Sequence, residues 1–277
     1  MEPRQARRHD KTGRSHANRP VVVGNAYFAS APPRILAHRG LAIEAPENTL
    51  LAFLKALSIG VTHLETDVHA SLDGVAILSH DADLERIVGR PTRIDRLTVA
   101  ELKRVDLGHG QTFATLADAL DTFPHACFNI DLKSSASVLP AVEAIRAARA
   151  TSRVLVTSFG ESRRREALRG LPGVATSASA ATLALALAAA KLGVGPVVRR
   201  ALARVDAVQV PEAVRGLRVL TPRTIRAFHD AGVEIHVWTV NDVDEMARLL
   251  DLGVDGIVTD RSDLALDLVK KRSIFRE

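Results

Sequence analysis

The sequence lacks the features that mark disulfide-stabilised and membrane-embedded proteins. It contains a single cysteine, Cys127, among 277 residues, which excludes an internal disulfide framework. Aromatic residues make up 4% of the chain, and no run of roughly 18 or more uncharged apolar residues predicts a membrane span. The arginine-rich N-terminus is followed by an apolar segment that is too short for a signal peptide. These absences favour a cytoplasmic protein.

Basic residues greatly outnumber acidic residues at the N-terminus. Residues 1–34 hold seven arginines and lysines against Glu2 and Asp10, which accounts for the whole formal net charge of +5. We interpret residues 1–33 as a basic and flexible extension, with an ordered lead-in from Asn25, and residues 34–277 as the folded body. Peripheral contact with an anionic membrane is the partner that this extension suggests, whereas nucleic-acid binding is not expected. No oligomeric state is predicted.

Short apolar runs alternate with amphipathic helical patterns from Arg34 onward, which is typical of βα units around a parallel sheet. Eight strands are predicted, at residues 34–37, 62–68, 126–132, 153–158, 173–176, 206–210, 233–238 and 255–258. The predicted helices lie at residues 48–59, 115–122, 137–149, 161–169, 179–192, 222–231, 242–251 and 262–271. This α/β pattern favours a TIM-type (β/α)8 barrel, with a doubly wound open sheet as the alternative.

A small insertion interrupts the pattern after the second strand. It contains a short strand at 75–79 and a polar, loop-rich stretch at 82–114 with one helix near 98–104. The Ala/Leu-rich helix at 179–192 is too short to span a bilayer. We therefore interpret that helix as a buried or interface helix of the barrel.

Carboxylates and basic residues lie at the predicted strand ends, where a barrel places its active site. Glu65 and Asp67 stand two residues apart on the second strand, so their side chains point to the same face. With Asp131 from the third strand they would supply oxygen ligands for Ca²⁺ or Mg²⁺. In the alternative interpretation, Glu65 and Asp67 cap a neighbouring helix or pair with Arg39 and Lys133.

Two histidines follow apolar runs, and each precedes a charged residue. His38 and His80 can serve as general acid and base because free imidazole titrates at a pH of about 6.5. One would accept the proton of an attacking hydroxyl, and the other would protonate the leaving alkoxide. Arg39 and Lys133 are candidate phosphate ligands. Together these residues predict metal-assisted phosphoryl transfer.

Three further residues are predicted to line or support the substrate pocket. His69 continues the strand face that carries Glu65 and Asp67. Trp238 and Asn241 follow the seventh strand, at the same end of the predicted barrel.

An ordered set of motifs resembles the glycerophosphodiester phosphodiesterase family over roughly residues 34–270. The set comprises HRG (38–40), PENT (46–49), E-x-D-V (65–68), DG (73–74), HD (80–81), NIDLK (129–133), WT-V-N (238–241) and DGIVTD (255–260). The resemblance implies a TIM-type barrel that hydrolyses glycerophosphodiesters to glycerol 3-phosphate and an alcohol.

The resemblance also implies roles for individual residues. His38 and His80 match the acid-base pair, Glu65 and Asp67 the metal ligands, Arg39 and Lys133 the phosphate ligands, and Glu47 of PENT a residue that supports the site. One position departs from the family pattern, since Asp131 stands where glutamate is usual. The shorter side chain leaves the identity of the metal open.

Two alternatives remain. The same site could act on a lysophospholipid or another lipid phosphodiester, with the basic extension and the helix at 179–192 serving a membrane surface. The chain could instead be a non-catalytic barrel that binds phosphate esters or scaffolds a partner.

Overall fold

A computed structural model describes residues 25–211, 213–214 and 217–274 of the chain. The strands are β1 Arg34–His38, β2 His63–Ala70, β3 Ala76–Leu78, β4 Asp83–Leu84, β5 Arg90–Arg93, β6 Cys127–Leu132, β7 Val154–Thr157, β8 Ala175–Thr176, β9 Ala207–Pro211, β10 Ala213–Val214, β11 Leu217–Arg218, β12 Glu234–Trp238 and β13 Gly256–Thr259. The α-helices are α1 Leu50–Ser58, α2 Glu85–Val88, α3 Val99–Leu102, α4 Leu116–Thr122, α5 Val138–Ala147, α6 Glu161–Gly170, α7 Ala180–Leu192, α8 Gly195–Leu202, α9 Pro222–His229, α10 Val243–Leu252 and α11 Ser262–Ile274. Short 3₁₀ helices lie at Ala26–Phe28, Ile94–Arg96, Ser135–Ser137 and Thr151–Arg153.

Eight parallel strands form the barrel, in the order β8-β7-β6-β2-β1-β13-β12-β9. A parallel bridge between Ser177 and Ala207 brings the two ends of this sheet together. The backbone N–H of Ala178 also donates to the carbonyl of Ala207 at 3.0 Å. The sheet is therefore a nearly closed barrel, which confirms the predicted (β/α)8 fold and excludes the doubly wound alternative.

Local sequence signals set many of the helix ends. Thr49 caps α1 by accepting a hydrogen bond from the N–H of Ala52, and Thr115 and Thr221 form capping boxes at α4 and α9. Gly193 ends α7 in the left-handed conformation. Helix α8 begins at a Gly-Pro pair and was not predicted from the sequence.

The insertion after β2 is a folded subdomain. Strand β3 pairs antiparallel with β2, and β4 pairs antiparallel with β5. A separate core joins these pieces, consisting of Ile77, Leu84, Ile94, Leu102, Val105 and Phe113. The stretch at 82–114 is therefore more ordered than the sequence analysis predicted, although its helix near 98–104 is confirmed by α3.

Residues 25–33 close the end of the barrel opposite the predicted active site. Tyr27 is fully buried, and its ring stands edge-on to His63 with the ring centroids 4.8 Å apart. It packs with Leu155, Ala175 and Ala207 from three barrel strands. These contacts agree with the ordered lead-in expected from Asn25, and the rest of the basic extension lies outside the described residues. In the part of the chain that the structure describes, no helix has the length and apolar character needed to cross a bilayer.

A buried ion pair joins the first strand to the seventh strand of the barrel. Arg34 donates from Nε and Nη2 to the two carboxylate oxygens of Glu234, at 2.8 and 2.9 Å. His236 Nε2 lies 3.1 Å from Glu234 Oε2. Burial alone would raise the pKa of Glu234, but the hydrogen bonds from His236 and Arg34 lower it to about 2. The charged carboxylate thus stabilises the fold.

We expect Glu234→Gln to lower the free energy of unfolding by about 3 kcal/mol or more, because it leaves the buried Arg34 guanidinium without its counter-charge. Denaturant unfolding at neutral pH measures this effect. Since the folded pKa lies below the ordinary value of 4.5, the wild-type contribution is present above pH 4.5 and is lost as the pH falls towards 2. Asp95→Asn, which breaks an exposed pair with Arg93, should change little. Equal effects of the two substitutions would contradict the prediction.

Candidate active site

A cavity of about 800 Å³ opens at the carboxyl ends of the barrel strands. It brings together eight of the residues predicted from the sequence: His38, Arg39, Glu65, Asp67, His80, Asp131, Lys133 and Trp238. Asn129 and Gln209 add amide groups to the polar side of the cavity. The three remaining predicted residues do not line it: Glu47 contacts Arg39, His69 contacts His80, and Asn241 contacts Asp260.

The turn after β1 positions Arg39 at the cavity. Arg39 and Gly40 both adopt positive φ angles, 57° and 86°. A Cβ atom at Gly40 would lie 2.7 Å from the carbonyl carbon of Ala52, so glycine is required at this position of the HRG motif. The N–H of Arg39 donates to both the carbonyl and the carboxylate of Glu65, at 3.0 and 3.1 Å.

We expect Gly40→Ala to destabilise the protein by roughly 1–3 kcal/mol and to lower activity, because both the positive φ angle and the contact with Ala52 oppose a side chain. Thermal unfolding and turnover measure the two effects. Gly74→Ala is a matched control, since Gly74 has a φ of 76° but nothing within 4 Å of the added Cβ. If Gly74→Ala lowered activity as much, close packing at Gly40 would not be the cause.

Asp67 is held between two cationic side chains. Its Oδ2 lies 3.1 Å from Nε of Arg39, and its Oδ1 lies 2.7 Å from Nζ of Lys133. Burial would raise the pKa of Asp67, but the charges of Lys133 and Arg39 lower it below its ordinary value. Lys133 also lies 2.8 Å from Oδ2 of Asp131. The ion-pair alternative considered for Glu65 and Asp67 therefore describes how Asp67 is held.

Glu65 and Asp131 are buried carboxyl groups whose pKa values are both raised. Burial, reinforced by the charge of Asp67, raises the pKa of Glu65 to about 8. Burial also raises the pKa of Asp131, whose Oδ1 is buried without a hydrogen-bond partner. Three carboxylates thus face two cationic side chains, and a buried carboxylate without a partner is unfavourable.

These oxygens fit a hard divalent cation in their chemistry. Carboxylate oxygens are the preferred ligands of Ca²⁺ and Mg²⁺, and the unpaired Oδ1 of Asp131 is available to one. Among the described residues, no group of three or more His, Cys, Asp and Glu side chains is arranged to hold a metal. Among these carboxylates, Asp67 and Asp131 share the Nζ of Lys133, at 2.7 and 2.8 Å.

His38 is oriented by a carboxylate that the sequence analysis did not identify as functional. Its Nδ1 lies 2.6 Å from Oδ1 of Asp260, so Nδ1 carries a proton and Nε2 is left to exchange protons at the cavity. Burial would lower the pKa of His38, but the hydrogen bond to Asp260 and the charge of Glu65 raise it. Asn241 donates to Asp260 Oδ2 at 2.7 Å and accepts a hydrogen bond from the N–H of Asp260 at 2.9 Å.

His80 has a corresponding carboxylate partner in the insertion. Its Nδ1 lies 2.7 Å from Oδ1 of Asp81, and Nε of Arg86 donates to the other oxygen of Asp81 at 2.5 Å. Arg86 also donates to Glu47, which accepts a further hydrogen bond from Nη1 of Arg39 at 3.0 Å. A chain of charges therefore links the insertion to the turn after β1, which fits the supporting role expected of Glu47.

The structure gives two predicted pocket residues different contacts from those expected. Nε2 of His69 lies 3.2 Å from the backbone carbonyl of His80, so His69 is positioned to hold the end of that segment. Asn241 holds Asp260. Asp260 could have been identified as a site residue from the sequence, because it follows the last strand of the barrel. Arg86 could not, because it lies in a polar insertion.

One wall of the cavity is apolar. Helix α7 contributes Leu183 and Leu187, and the rings of Phe159 and Trp238 meet edge-on with their centroids 6.0 Å apart. The cavity therefore has a charged side, with both histidines, and an apolar side.

Comparison with known proteins places this geometry in context. The family model described as "Glycerophosphoryl diester phosphodiesterase family" matches residues 38–264. A Mycobacterium tuberculosis protein named "Probable glycerophosphodiester phosphodiesterase 2" is 42% identical over 239 residues, covering 86% of this chain and 90% of its own length. The crystal structure of a Thermotoga maritima glycerophosphodiester phosphodiesterase is similar at 27% identity and a TM-score of 0.68, covering 84% of this chain and 97% of that one.

An Oleispira antarctica phosphodiesterase, solved in complex with its product sn-glycerol-3-phosphate, has the same fold. Its TM-score is 0.73 at 22% identity, and the match covers 86% of this chain and 97% of that one.

Proposed function

The chain belongs to the glycerophosphoryl diester phosphodiesterase family and is a phosphoric diester hydrolase, and from that premise we propose how its own residues act. It hydrolyses glycerophosphodiesters to glycerol 3-phosphate and an alcohol, with a divalent cation at Glu65, Asp67 and Asp131. The observation that carries the proposal is that His38 and His80 line one cavity, each with Nδ1 bound to a carboxylate. The product held by the Oleispira antarctica phosphodiesterase supports glycerol 3-phosphate as the product here.

The two histidines carry the proton transfers. With Nδ1 of each ring bonded to Asp260 or Asp81, Nε2 is the nitrogen that accepts or delivers a proton. One ring accepts the proton of the attacking hydroxyl, and the other protonates the departing alkoxide. Because of these two proton transfers, neither the attacking oxygen nor the departing oxygen has to carry a full charge.

Arg39 and Lys133 bind the phosphate of the substrate. Both line the cavity and both contact Asp67, so a phosphate oxygen would share their donors with that carboxylate. A bound divalent cation would supply Lewis-acid stabilisation of the charge that develops on phosphorus oxygens. Trp238 contacts the alcohol side of the substrate from the apolar wall.

We expect metal removal to abolish activity. Treatment with EDTA followed by dialysis should eliminate release of glycerol 3-phosphate from glycerophosphocholine, and Ca²⁺ or Mg²⁺ should restore it. Isothermal titration with each metal, on wild type and on Glu65→Gln, tests whether Glu65 is a ligand. Full activity in EDTA would remove the cation from this proposal without affecting the acid-base roles.

A second candidate substrate is a lysophospholipid, which the apolar wall favours. Its acyl chain would lie against Leu183, Leu187 and Phe159 while its phosphate reached the charged side. Turnover on lysophosphatidylcholine and on glycerophosphocholine separates the two candidates. If the apolar wall binds an acyl chain, Leu187→Asn should lower turnover of lysophosphatidylcholine and leave turnover of glycerophosphocholine unchanged. A cytoplasmic location and membrane contact through residues 1–33 remain predictions.

A further inference from the structure

Helix α7 exposes an apolar stripe beside the active-site cavity. The stripe consists of Ala181, Leu185, Ala188 and Leu192, which share one face of the helix because they follow its period, and Ala188 also borders the cavity. All four are exposed, with exposed fractions of 54% for Leu185 and 77% for Leu192. The outer face of a surface helix in water normally carries polar residues. This face is therefore built for a contact other than water.

The apolar surface continues on both sides of the stripe. Val194 and Val197 at the start of α8 are 42% and 38% exposed, and Phe159 near the cavity is 58% exposed. Five of the nine large hydrophobic side chains that are exposed among the described residues thus fall between residues 159 and 197. Such a concentration marks an interaction site.

The charge around this surface has one sign. Residues 177–205 contain no Asp or Glu and hold four exposed cations: Lys191, Arg199, Arg200 and Arg204. The guanidinium of Arg223, on α9, lies against Gly193 at the junction of α7 and α8. Since residues 35–277 are balanced overall, the excess is a local property of this face.

We propose that the exposed apolar and basic residues of α7 and α8, which we call the α7–α8 surface, dock the protein on an anionic lipid bilayer. Exposed apolar side chains bordered by lysine and arginine are the pattern of an interfacial helix, whose apolar face enters the acyl region while its cations meet lipid phosphates. The inner face of α7 lines the cavity through Leu183 and Leu187. A docked bilayer would therefore lie beside the mouth of the active site, and lipid-derived diesters would reach it without crossing bulk water.

A second copy of the chain fits this surface less well. A two-fold contact would place each patch against its own copy, so that Arg199 and Arg200 would face like charges. Like-charge contacts at an interface are unfavourable by several kcal/mol. An anionic surface neutralises the same residues.

Vesicle co-sedimentation with the full-length protein tests the proposal. The vesicles contain equimolar phosphatidylcholine and phosphatidylglycerol, with pure phosphatidylcholine as the neutral reference. Arg199→Gln with Arg200→Gln should weaken binding to the anionic vesicles roughly thirtyfold, since each basic residue near such a surface contributes about 1 kcal/mol. Leu185→Ser with Leu192→Ser should weaken it roughly tenfold or more.

Matched controls assign the effect to this surface. Arg7→Gln with Arg8→Gln removes the same charge from the N-terminal extension, and Leu54→Ser with Leu139→Ser removes two leucines elsewhere that are 54% and 62% exposed. The Leu54/Leu139 control should bind vesicles nearly as wild type, and the loss in the Arg7/Arg8 control, which measures contact through the extension, should be clearly smaller than the loss in the Arg199/Arg200 variant. All variants should keep wild-type turnover of soluble glycerophosphocholine. This assay measures the proposed catalytic function, whereas vesicle co-sedimentation measures docking.

Three outcomes would overturn the proposal. The first is that the wild type does not bind anionic vesicles. The second is that the Arg7/Arg8 variant loses as much binding as the Arg199/Arg200 variant. The third is that Leu185→Ser with Leu192→Ser changes the oligomeric state without changing vesicle binding. The last result would make the surface a contact between copies of this chain.

Discussion

Replacing His38 or His80 with alanine should lower the release of glycerol 3-phosphate by about 10²–10⁴-fold, which is the usual contribution of a positioned general acid or base. Both rings line the cavity, and each is fixed through Nδ1 by a carboxylate, so each presents Nε2 for proton transfer. The fold should remain intact, because neither side chain belongs to a buried core cluster. Metal affinity should also be nearly unchanged, because carboxylates are the proposed ligands.

A diester with a nitrophenol leaving group assigns the two roles. Its leaving group departs without being protonated, so the variant that lacks the general acid should recover most of its activity on this substrate. The variant that lacks the general base should stay slow on both substrates. His125→Ala, at an exposed position outside the cavity, is the control and should behave as wild type. Retained turnover in both alanine variants would exclude the acid-base pair.

Asp260→Asn should lower kcat by about 10²-fold with little change in KM. In a buried Ser-His-Asp triad, the corresponding substitution costs about 10⁴-fold because the histidine takes the wrong tautomer. The side chain of Asp260 is 49% exposed, so water can partly replace its charge and the smaller effect is expected here. KM should change little because Asp260 does not line the cavity.

Two companion variants separate positioning from simple destabilisation. Asp260→Glu keeps the acceptor and should recover part of kcat, whereas Asn241→Ala removes two hydrogen bonds with Asp260, one of them to its carboxylate, and should have a smaller effect than Asp260→Asn. Unfolding temperatures should be similar for all three. If Asp260→Asn left kcat unchanged, the contact with His38 would have no part in the reaction.

The barrel was predictable because its signals are local. Each barrel strand is a short apolar run, and the observed strands begin and end within two residues of those predicted. Helix α8 was missed because Gly195 and Pro196 at its start are typical of a turn, although proline is well tolerated in the first turn of a helix. The insertion was predicted as loop-rich because its strands are short and its core forms only when β3 pairs with β2.

The residues of the site were predictable for a related reason. Parallel strands in a barrel end at the same rim, so polar residues after different strands converge without any knowledge of distances. Glu65 and Asp67 share a face by the two-residue period of a strand, and Asp67 lies in register with Asp131. Asp260, by contrast, is 222 residues from His38, and nothing in the local sequence relates the two.

The sequence alone determined the fold class and the set of side chains at the rim, because hydrophobic periodicity and strand alternation act over a few neighbouring residues. Only the tertiary structure decided which charges pair: Lys133 between Asp67 and Asp131, Asp260 behind His38, and Arg86 across to Glu47. The strength of an ion pair depends on separation in space and on burial, and both are fixed only when distant segments pack together.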